Sequence, residues 1–210
     1  KLMTKIKLHL GCGTVVVDGW INVDYSLGAR LSKIPTFRYF NKKLKLFDVE
    51  WKENIFLHDL TKKLPWKDNS VDYIYCSHTL EHFTKDNGRY LLSEIYRVLK
   101  RGGLARIIVP DLGIIIDRFN KKEIMAEDLV NCLEVFEQET KTTSKIKKIF
   151  NKLYQFPHRC MYTEDRLTHI MSEIKFLVTP KKYLESNIES IEEIETEERT
   201  KNAIVVEGIK

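Results

Sequence analysis

An apolar run that ends in two glycines one residue apart places the strongest constraint on how this chain folds. Residues 5–13 read KIKLHLGCG, in which apolar and polar residues alternate before Gly11 and Gly13. Alternation of this kind predicts a β-strand, and glycines at its end allow both a tight turn and the close approach of a ligand to the backbone. We therefore predict a first strand whose carboxyl end faces a ligand.

A short second strand that ends in an acidic residue follows the glycine turn. Residues 20–24 read WINVD. In nucleotide-binding α/β sites, an acidic side chain at the tip of the second strand accepts hydrogen bonds from ribose hydroxyls. A parallel crossover needs about a dozen residues, and the chain offers fewer between these strands, so we expect an irregular loop or a truncated helix there. The glycine turn alone is equally consistent with a tight turn after any core strand.

Further apolar runs recur in the order of a parallel α/β sheet. We predict a third strand at 55–58, a fourth at Val71 to Ser77 and a fifth at 104–109. Residues 87–100 have apolar side chains at helical spacing, with Gly102 and Gly103 as the expected C-terminal stop. Strands with intervening helices predict a doubly wound sheet.

Helices are also predicted in the second half of the chain. We expect helices at 111–119, with Asp111 as the N-cap, and at 162–176, with Thr163 as the cap. Residues 121–156 have apolar spacing typical of two more helices, which we expect to form a lid over the acceptor.

The motifs in this order resemble those of the class I S-adenosylmethionine-dependent methyltransferases. The resemblance is carried by HLGCG, GWINVD, LPW, SHTLEHF and RVLKRGG between Ile6 and Asp111, and the chain is most similar to a small bacterial group with these motifs. It implies an α/β fold with a doubly wound, mostly parallel seven-stranded sheet and helices on both faces. It also implies a last strand, expected at 203–209, that runs antiparallel beside the fifth. We expect the acidic residues 187–198 to contain a further strand.

The resemblance implies S-adenosylmethionine as the cofactor. Gly11 and Gly13 would approach its methionine part, and Asp24 would hold the ribose hydroxyls. Asp59 would accept a hydrogen bond from the adenine amine, although a turn cap is the alternative role for this side chain. The third glycine of the usual pattern is replaced by Val15. The predicted cofactor-binding residues are Leu10, Gly11, Cys12, Gly13, Asp24, Tyr25, His58, Asp59, Leu60, Ser77 and His78.

Three histidines are the predicted catalytic residues. Methyl transfer from a sulfonium requires alignment of donor and acceptor, and a base when the acceptor is a hydroxyl. Imidazole accepts a proton near neutral pH, so His78, His82 and His158 are candidate bases. A structural role is the alternative for His82 and for His158. The reaction requires no metal ion, and we predict no metal ligands.

Length and composition indicate one domain. We expect a single domain over residues 3–210, with insertions at about 25–54 and 121–160 that cover the acceptor site, and we interpret Lys1–Leu2 as a vector remnant before Met3. No apolar run approaches the roughly 20 residues of a membrane helix, and no signal peptide is visible. The four cysteines are scattered, which favours free thiols and a cytoplasmic protein.

The charge distribution bears on the acceptor. The net charge is +5, with lysine clusters at 42–45 and 141–148 and an acidic stretch at 185–198. Solvated faces are one interpretation, and contacts to a phosphate-bearing acceptor are the other. We predict methyl transfer to a hydroxyl or amine of a small molecule or glycan precursor.

Three alternatives remain open from the sequence. The shortened first crossover is compatible with a non-catalytic nucleoside-binding scaffold or partner subunit. An RNA methyltransferase is disfavoured because no Asn-Pro-Pro-aromatic motif follows the fourth strand, although basic and aromatic residues at 37–51 keep it open. An NAD-dependent dehydrogenase lacks the full G-x-G-x-x-G turn.

Overall fold

Seven strands form one sheet. The computed structural model describes residues 5–37, 39, 52, 54–135 and 156–210. The strands are β1 (Lys7–Leu10), β2 (Ile21–Asp24), β3 (Phe56–Leu57), β4 (Val71–Ser77), β5 (Leu99–Pro110), β6 (Leu177–Pro180) and β7 (Ala203–Ile209). Their spatial order is β3-β2-β1-β4-β5-β7-β6. β1 to β5 run parallel, and β7 lies antiparallel between β5 and β6. The predicted α/β sheet, with its last strand antiparallel beside the fifth, is confirmed.

Helices and two short 3-10 turns connect the strands. Within the described ranges the helices are α1 (Leu27–Ser32), α2 (Lys85–Val98), α3 (Leu112–Asn120), α4 (Ala126–Leu133), α5 (Glu164–Glu173) and α6 (Glu197–Thr200). The 3-10 turns lie at Leu80–His82 and Ile191–Glu193. Asp111 caps α3 as predicted, since its Oδ1 accepts the Gly113 N–H at 2.7 Å. Thr163 precedes α5, but its side chain makes no capping hydrogen bond.

The two faces of the sheet are buried by different parts of the chain. Because side chains alternate along a strand, Ile74 and Ile107 face one core while Tyr75 and Ile108 face the other. The first core is closed by α2 and α5. The second is closed by Trp20 and by three isoleucines of the acidic stretch, namely Ile188, Ile191 and Ile194.

An irregular loop joins β1 to β2, as the short spacing predicts. The buried Asn22 holds this loop, because its Oδ1 accepts the Val17 N–H at 3.1 Å and its Nδ2 donates to the carbonyls of Val17 and Trp20 at 2.9 and 3.0 Å. These hydrogen bonds satisfy the backbone groups that a crossover helix would otherwise satisfy internally. β1 and β2 therefore pair in parallel without a helix between them.

The prediction that Gly102 and Gly103 stop the second helix is wrong. α2 ends at Val98, and β5 begins directly at Leu99, whose backbone is extended. Ser70 N–H donates to the Val98 carbonyl at 2.8 Å, which fixes the chain beside β4 at this point. Gly102 instead bends the start of β5 with a φ of 75° and pairs with Lys210.

The prediction of a strand within residues 187–198 is also wrong. This stretch contains the second 3-10 turn and the start of α6, and the sixth strand lies earlier, at Leu177–Pro180. Residues 182–195 fold over Arg106, a fully buried side chain of β5. Isoleucines three residues apart then point together into the second core, a spacing that suits a helical turn rather than a strand.

The predicted insertions are described only in part. The first contains α1, and the second contains α4. The lysine clusters at 42–45 and 141–148, and the second of the two helices expected in the lid, lie outside the described residues.

Candidate functional site

One cavity of about 540 Å³ opens at the carboxyl ends of β1, β2 and β4. This is the edge of a parallel sheet where ligands bind in open α/β folds, and the volume is in the range of small-molecule sites. Its lining residues are Gly11, Cys12, Gly13, Thr14, Asp24, Tyr25, Ser26, Asp59, Leu60, Thr61, His78, Thr79, His82, Phe83, Thr84, Asn87, Phe156, Arg159 and Arg199.

The glycine turn forms the floor of the cavity. Gly11 has a φ of 68°, and a Cβ there would lie 2.1 Å from Thr79 Oγ1, so this position accepts only glycine. Gly13 has a φ of 55° and open space where a Cβ would be. Gly11 is therefore required for close packing against Thr79, whereas Gly13 leaves the backbone open to a ligand.

Asp24 is held rigidly at the tip of β2. Its Oδ2 accepts the Gly13 N–H at 2.9 Å, and its Oδ1 accepts the Ser26 N–H at 2.6 Å. Each carboxylate oxygen has two lone-pair sites, so one on each oxygen stays available to a ligand hydroxyl. The carboxylate is thus oriented by backbone groups before any ligand binds.

Cys12 contributes a neutral wall between the turn and Asp24. Burial raises the pKa of this thiol to about 12, and the nearby Asp24 charge acts in the same direction. A thiol with this pKa is no nucleophile at neutral pH.

Asp59 and Leu60 follow β3 at the far end of the cavity. Asp59 Oδ1 accepts the backbone N–H of Thr61 at 2.9 Å and its hydroxyl at 2.7 Å. Burial raises the pKa of Asp59, but the hydrogen bonds from Thr61 outweigh it, and the net pKa is lowered. The carboxylate therefore caps a turn and lines the cavity at the same time.

His78 lies just past β4 in a left-handed backbone conformation with a φ of 48°. Its Nε2–H donates to the Arg199 carbonyl at 2.8 Å, which leaves Nδ1 facing Glu81 Oε1 at 3.5 Å. Burial lowers the pKa of His78, whereas the contacts with Glu81 and the Arg199 carbonyl raise it, with a net increase. Strained backbone at a non-glycine residue is frequent at functional sites.

His82, His158 and the fully buried Glu81 form one cluster behind His78. The ring centroids of His82 and His158 are 5.2 Å apart, and His158 Nε2 lies 4.0 Å from Glu81 Oε1. The segment that carries His158 is fixed here because the N–H groups of Arg159 and Cys160 donate to the Glu81 carbonyl at 2.8 and 3.1 Å. Burial is the main cause of a lowered pKa at His82.

The structure brings most of the predicted site residues together. Those that line the cavity are Gly11, Cys12, Gly13, Asp24, Tyr25, Asp59, Leu60, His78 and His82. Leu10 and Ser77 are fully buried in their strands, and His58 and His158 lie outside the lining. His158 adjoins the cavity through His82, which lines it and whose ring centroid lies 5.2 Å away.

Several lining residues were not predicted from the sequence. No motif or regular spacing in the sequence singles out Thr79, Thr84, Asn87 or Arg199. Arg199 reaches the cavity from α6, far along the chain. Thr14, Ser26 and Thr61 directly follow or flank predicted residues and could have been found by extending each motif by one or two positions.

Comparisons with known proteins agree with this geometry. Residues 8–107 match the family described as a methyltransferase domain. A methyltransferase structure from Methanosarcina mazei, described as S-adenosylmethionine-dependent, superposes with a TM-score of 0.51 and 16% identity over 99% of this chain and 92% of that one. One from Archaeoglobus fulgidus gives 0.50 and 14%, over 98% and 86%. None of the curated proteins compared with the chain matches it.

The described helices include none with the length and apolar character to span a bilayer.

Proposed function

We propose that this chain, which matches a methyltransferase domain over residues 8–107, transfers the methyl group of S-adenosylmethionine to a hydroxyl or amine of a small molecule or glycan precursor. The observation that carries the proposal is the single cavity that joins the glycine turn and Asp24 to a polar end with two histidines and two arginines. One end suits the donor, and the other end suits an acceptor.

The donor is proposed to bind along the ends of β1, β2 and β3. The exposed backbone at Gly13 suits close contact with the methionine part, and the free lone pairs of Asp24 suit the two ribose hydroxyls. Asp59 and Leu60 at the far end suit the adenine, one as an acceptor and the other as an apolar contact. Tyr25, 46% exposed at the rim, suits stacking or edge contact with the nucleoside.

The acceptor is proposed to bind between His78, Phe156 and the two arginines that line the cavity, Arg159 and Arg199. S-adenosylmethionine brings one carboxylate, so a second guanidinium group is left for an anionic group of the acceptor. This favours a phosphate-bearing or acidic acceptor. Phe156 offers an apolar face of the kind that packs on a sugar ring or an aliphatic chain.

The transfer itself is an in-line displacement. The acceptor atom forms a bond to the methyl carbon, the carbon–sulfur bond breaks with its electron pair left on sulfur, and S-adenosylhomocysteine is the by-product. An acceptor hydroxyl or ammonium also loses a proton. His78 is the candidate to receive it, because Nε2–H donates to the Arg199 carbonyl and Nδ1 is therefore the nitrogen that carries the lone pair when the ring is neutral. His82 and His158 stay predictions as bases.

A non-catalytic nucleoside-binding scaffold is the second candidate, and the missing crossover helix between β1 and β2 favours it. One experiment separates the two. The purified protein is incubated with S-adenosylmethionine labelled in the methyl group and with pools of sugar phosphates, nucleotide sugars, amines and bulk RNA. Transfer of label to one small-molecule pool, absent from Asp24→Ala, is the expected result. Donor binding with no transfer to any pool would support the scaffold, and label in RNA would overturn the small-molecule assignment.

We place this reaction in the cytoplasm. All four cysteines are free thiols, and Cys12 and Cys76 are buried in the fold, which is typical of a protein that works in a reducing compartment. Fractionation of cells that express a tagged chain tests the location.

A further inference from the structure

Glu81 is a buried carboxylate without a hydrogen-bond partner. Its side chain is 1% exposed, and neither Oε1 nor Oε2 has a hydrogen-bonding partner among the described residues. A buried unpaired anion costs several kcal/mol, so a carboxyl group in this position either takes up a proton or binds a positive charge. Among the described residues, the groups recorded within ion-pair distance of this carboxylate are histidine nitrogens, with His78 Nδ1 at 3.5 Å and His158 Nε2 at 4.0 Å.

The free nitrogen of His158 faces this carboxylate, with Nε2 at 4.0 Å from Glu81 Oε1. His158 donates Nδ1–H to the Leu133 carbonyl at 3.0 Å, so its Nε2 is the unprotonated nitrogen of the neutral ring. His82 Nδ1 is buried and has no hydrogen-bond partner in the described part of the chain. Lone pairs that face an anion repel it unless a proton or a metal ion lies between them. A backbone carbonyl that fixes the far nitrogen, as Leu133 does for His158, is the usual orienting partner of a metal-bound imidazole.

We propose that Glu81, His82 and His158 bind a divalent transition-metal ion in the wall of the cavity. One ligand atom from each residue lies within 4.8 Å of the other two. In a tetrahedral shell with bonds of about 2.0–2.2 Å, the ligand atoms lie about 3.3–3.6 Å apart. Binding therefore requires the most widely separated ligand atoms to approach each other by up to about 1.5 Å, through rotation of their side chains.

The donor set favours zinc over magnesium. Two imidazoles and one carboxylate form the three-ligand set that catalytic zinc sites use, with a position left open for water or substrate. Magnesium prefers an oxygen-only shell. Because His82 lines the cavity, the open position is reached from the acceptor end.

This site deepens the proposed function and rests on it. An acceptor hydroxyl bound to the ion would lose its proton to water more readily, because the cation stabilises the alkoxide. The alkoxide oxygen then forms the bond to the methyl carbon as the carbon–sulfur bond breaks. The ion therefore favours a hydroxyl acceptor over an amine.

Metal binding is measured directly on the full chain. The protein is treated with a chelator, exchanged into metal-free buffer and titrated with Zn²⁺, Co²⁺ or Mg²⁺ alone. We expect one equivalent of Zn²⁺ per chain with a Kd of about 10 µM or tighter. Co²⁺ should give visible absorption bands of a nitrogen- and oxygen-ligated ion, and Mg²⁺ should bind at least tenfold more weakly.

Matched variants assign the ligands. Glu81→Gln and His158→Gln should each weaken Zn²⁺ binding at least tenfold and abolish the Co²⁺ spectrum. His169→Gln, which changes an exposed histidine paired with Glu173, should change neither. Circular dichroism establishes that each variant folds, and the near-isosteric Glu81→Gln keeps the test valid if His158→Gln does not fold.

The outcomes separate this site from the proposed function. If the protein binds S-adenosylhomocysteine but does not take up one equivalent of Zn²⁺, the metal site is overturned and the methyltransferase proposal stands. The same holds if Glu81→Gln leaves Zn²⁺ binding unchanged. Zn²⁺ binding that depends on Glu81 and His158, with no methyl transfer to any acceptor, would leave the metal site standing and overturn the proposed function.

Discussion

Two buried clusters of charged or polar groups lie at different places on the same sheet, and their hydrogen bonding differs. Arg106 of β5 donates from Nε, Nη1 and Nη2 to Glu195, Glu207 and the carbonyls of Lys182 and Glu185. These contacts use all five guanidinium N–H groups. Glu81 lies at the carboxyl edge of the sheet, and neither of its carboxylate oxygens has such a donor among the residues that the structure describes.

The difference separates a structural cluster from a binding cluster. Around Arg106 every charge has its partner, so the cluster locks residues 182–195 onto β5 and β7 and leaves nothing for a ligand. Around Glu81 the polar atoms lack partners and adjoin the cavity, which is where a ligand or ion gains the most by binding. Burial of charge alone therefore does not mark a site, whereas burial without partners does.

The largest effect is expected from breaking the satisfied cluster. Arg106→Met removes the cation and leaves Glu195 and Glu207 buried without it, so the free energy of unfolding should fall by about 3–5 kcal/mol. Urea denaturation measures this loss. Arg101→Met, at an exposed position near the start of the same strand, is the control. A midpoint unchanged by Arg106→Met would show that the cluster does not hold the fold.

The donor half of the cavity is expected to depend on Asp24. Asp24→Ala removes the hydrogen bonds proposed to the ribose and should weaken S-adenosylhomocysteine binding by about 1.5–3 kcal/mol, or roughly 10- to 100-fold. Asp18→Ala, at an exposed position in the β1–β2 loop, is the matched control and should bind normally. Equal affinity of the two variants would contradict the assignment of Asp24.

His9 is a third buried polar group, and unlike Arg106 it carries no charge at neutral pH. Burial lowers the pKa of His9 to about 4. The unfolded chain therefore binds more protons than the folded chain between about pH 6.5 and 4, and stability falls as the pH falls through this window. His9→Gln should reduce the loss of unfolding free energy between pH 7 and pH 5 by about 2 kcal/mol.

Urea titrations at pH 7 and pH 5 measure the difference for both proteins. His169→Gln, at an exposed histidine, controls for titration of an ordinary imidazole. An identical pH dependence in His9→Gln and the wild type would mean that folding does not lower the pKa of His9.

The smallest effect on stability is expected at the unsatisfied cluster. In the presence of a chelator, Glu81→Gln replaces a carboxyl group that has no hydrogen-bond partner among the described residues, and it should lower the free energy of unfolding by no more than about 1 kcal/mol. Thermal melts in a chelator measure this. A loss as large as that expected for Arg106→Met would show that Glu81 has a strong partner in the folded protein, and the comparison between the clusters would fail.

The sheet could be predicted from the sequence because each strand is short, apolar and followed by a recognisable turn. The fourth strand was predicted at its observed bounds, Val71–Ser77, and the donor residues follow directly from strand ends. Such features depend on a few adjacent residues. They are therefore visible in the chain before it folds.

The contacts that could not be predicted join residues far apart in the chain. Nothing near Arg106 indicates that Glu195 and Glu207 pair with it, so the acidic stretch was misinterpreted as containing a strand. In the same way, Glu81 meets His158 only because the backbone of Arg159 and Cys160 pairs with the Glu81 carbonyl. A histidine's spacing predicts neither its partner nor the tautomer that the partner selects.

The most direct test of the account is calorimetric titration of the purified protein with S-adenosylhomocysteine, with NAD as the control ligand. The account predicts one site per chain with micromolar affinity, loss of at least tenfold in Asp24→Ala, and no binding of NAD. Binding of NAD, or an S-adenosylhomocysteine affinity that Asp24→Ala leaves unchanged, would contradict the assignment of the cavity at the ends of β1, β2 and β4 as the donor site.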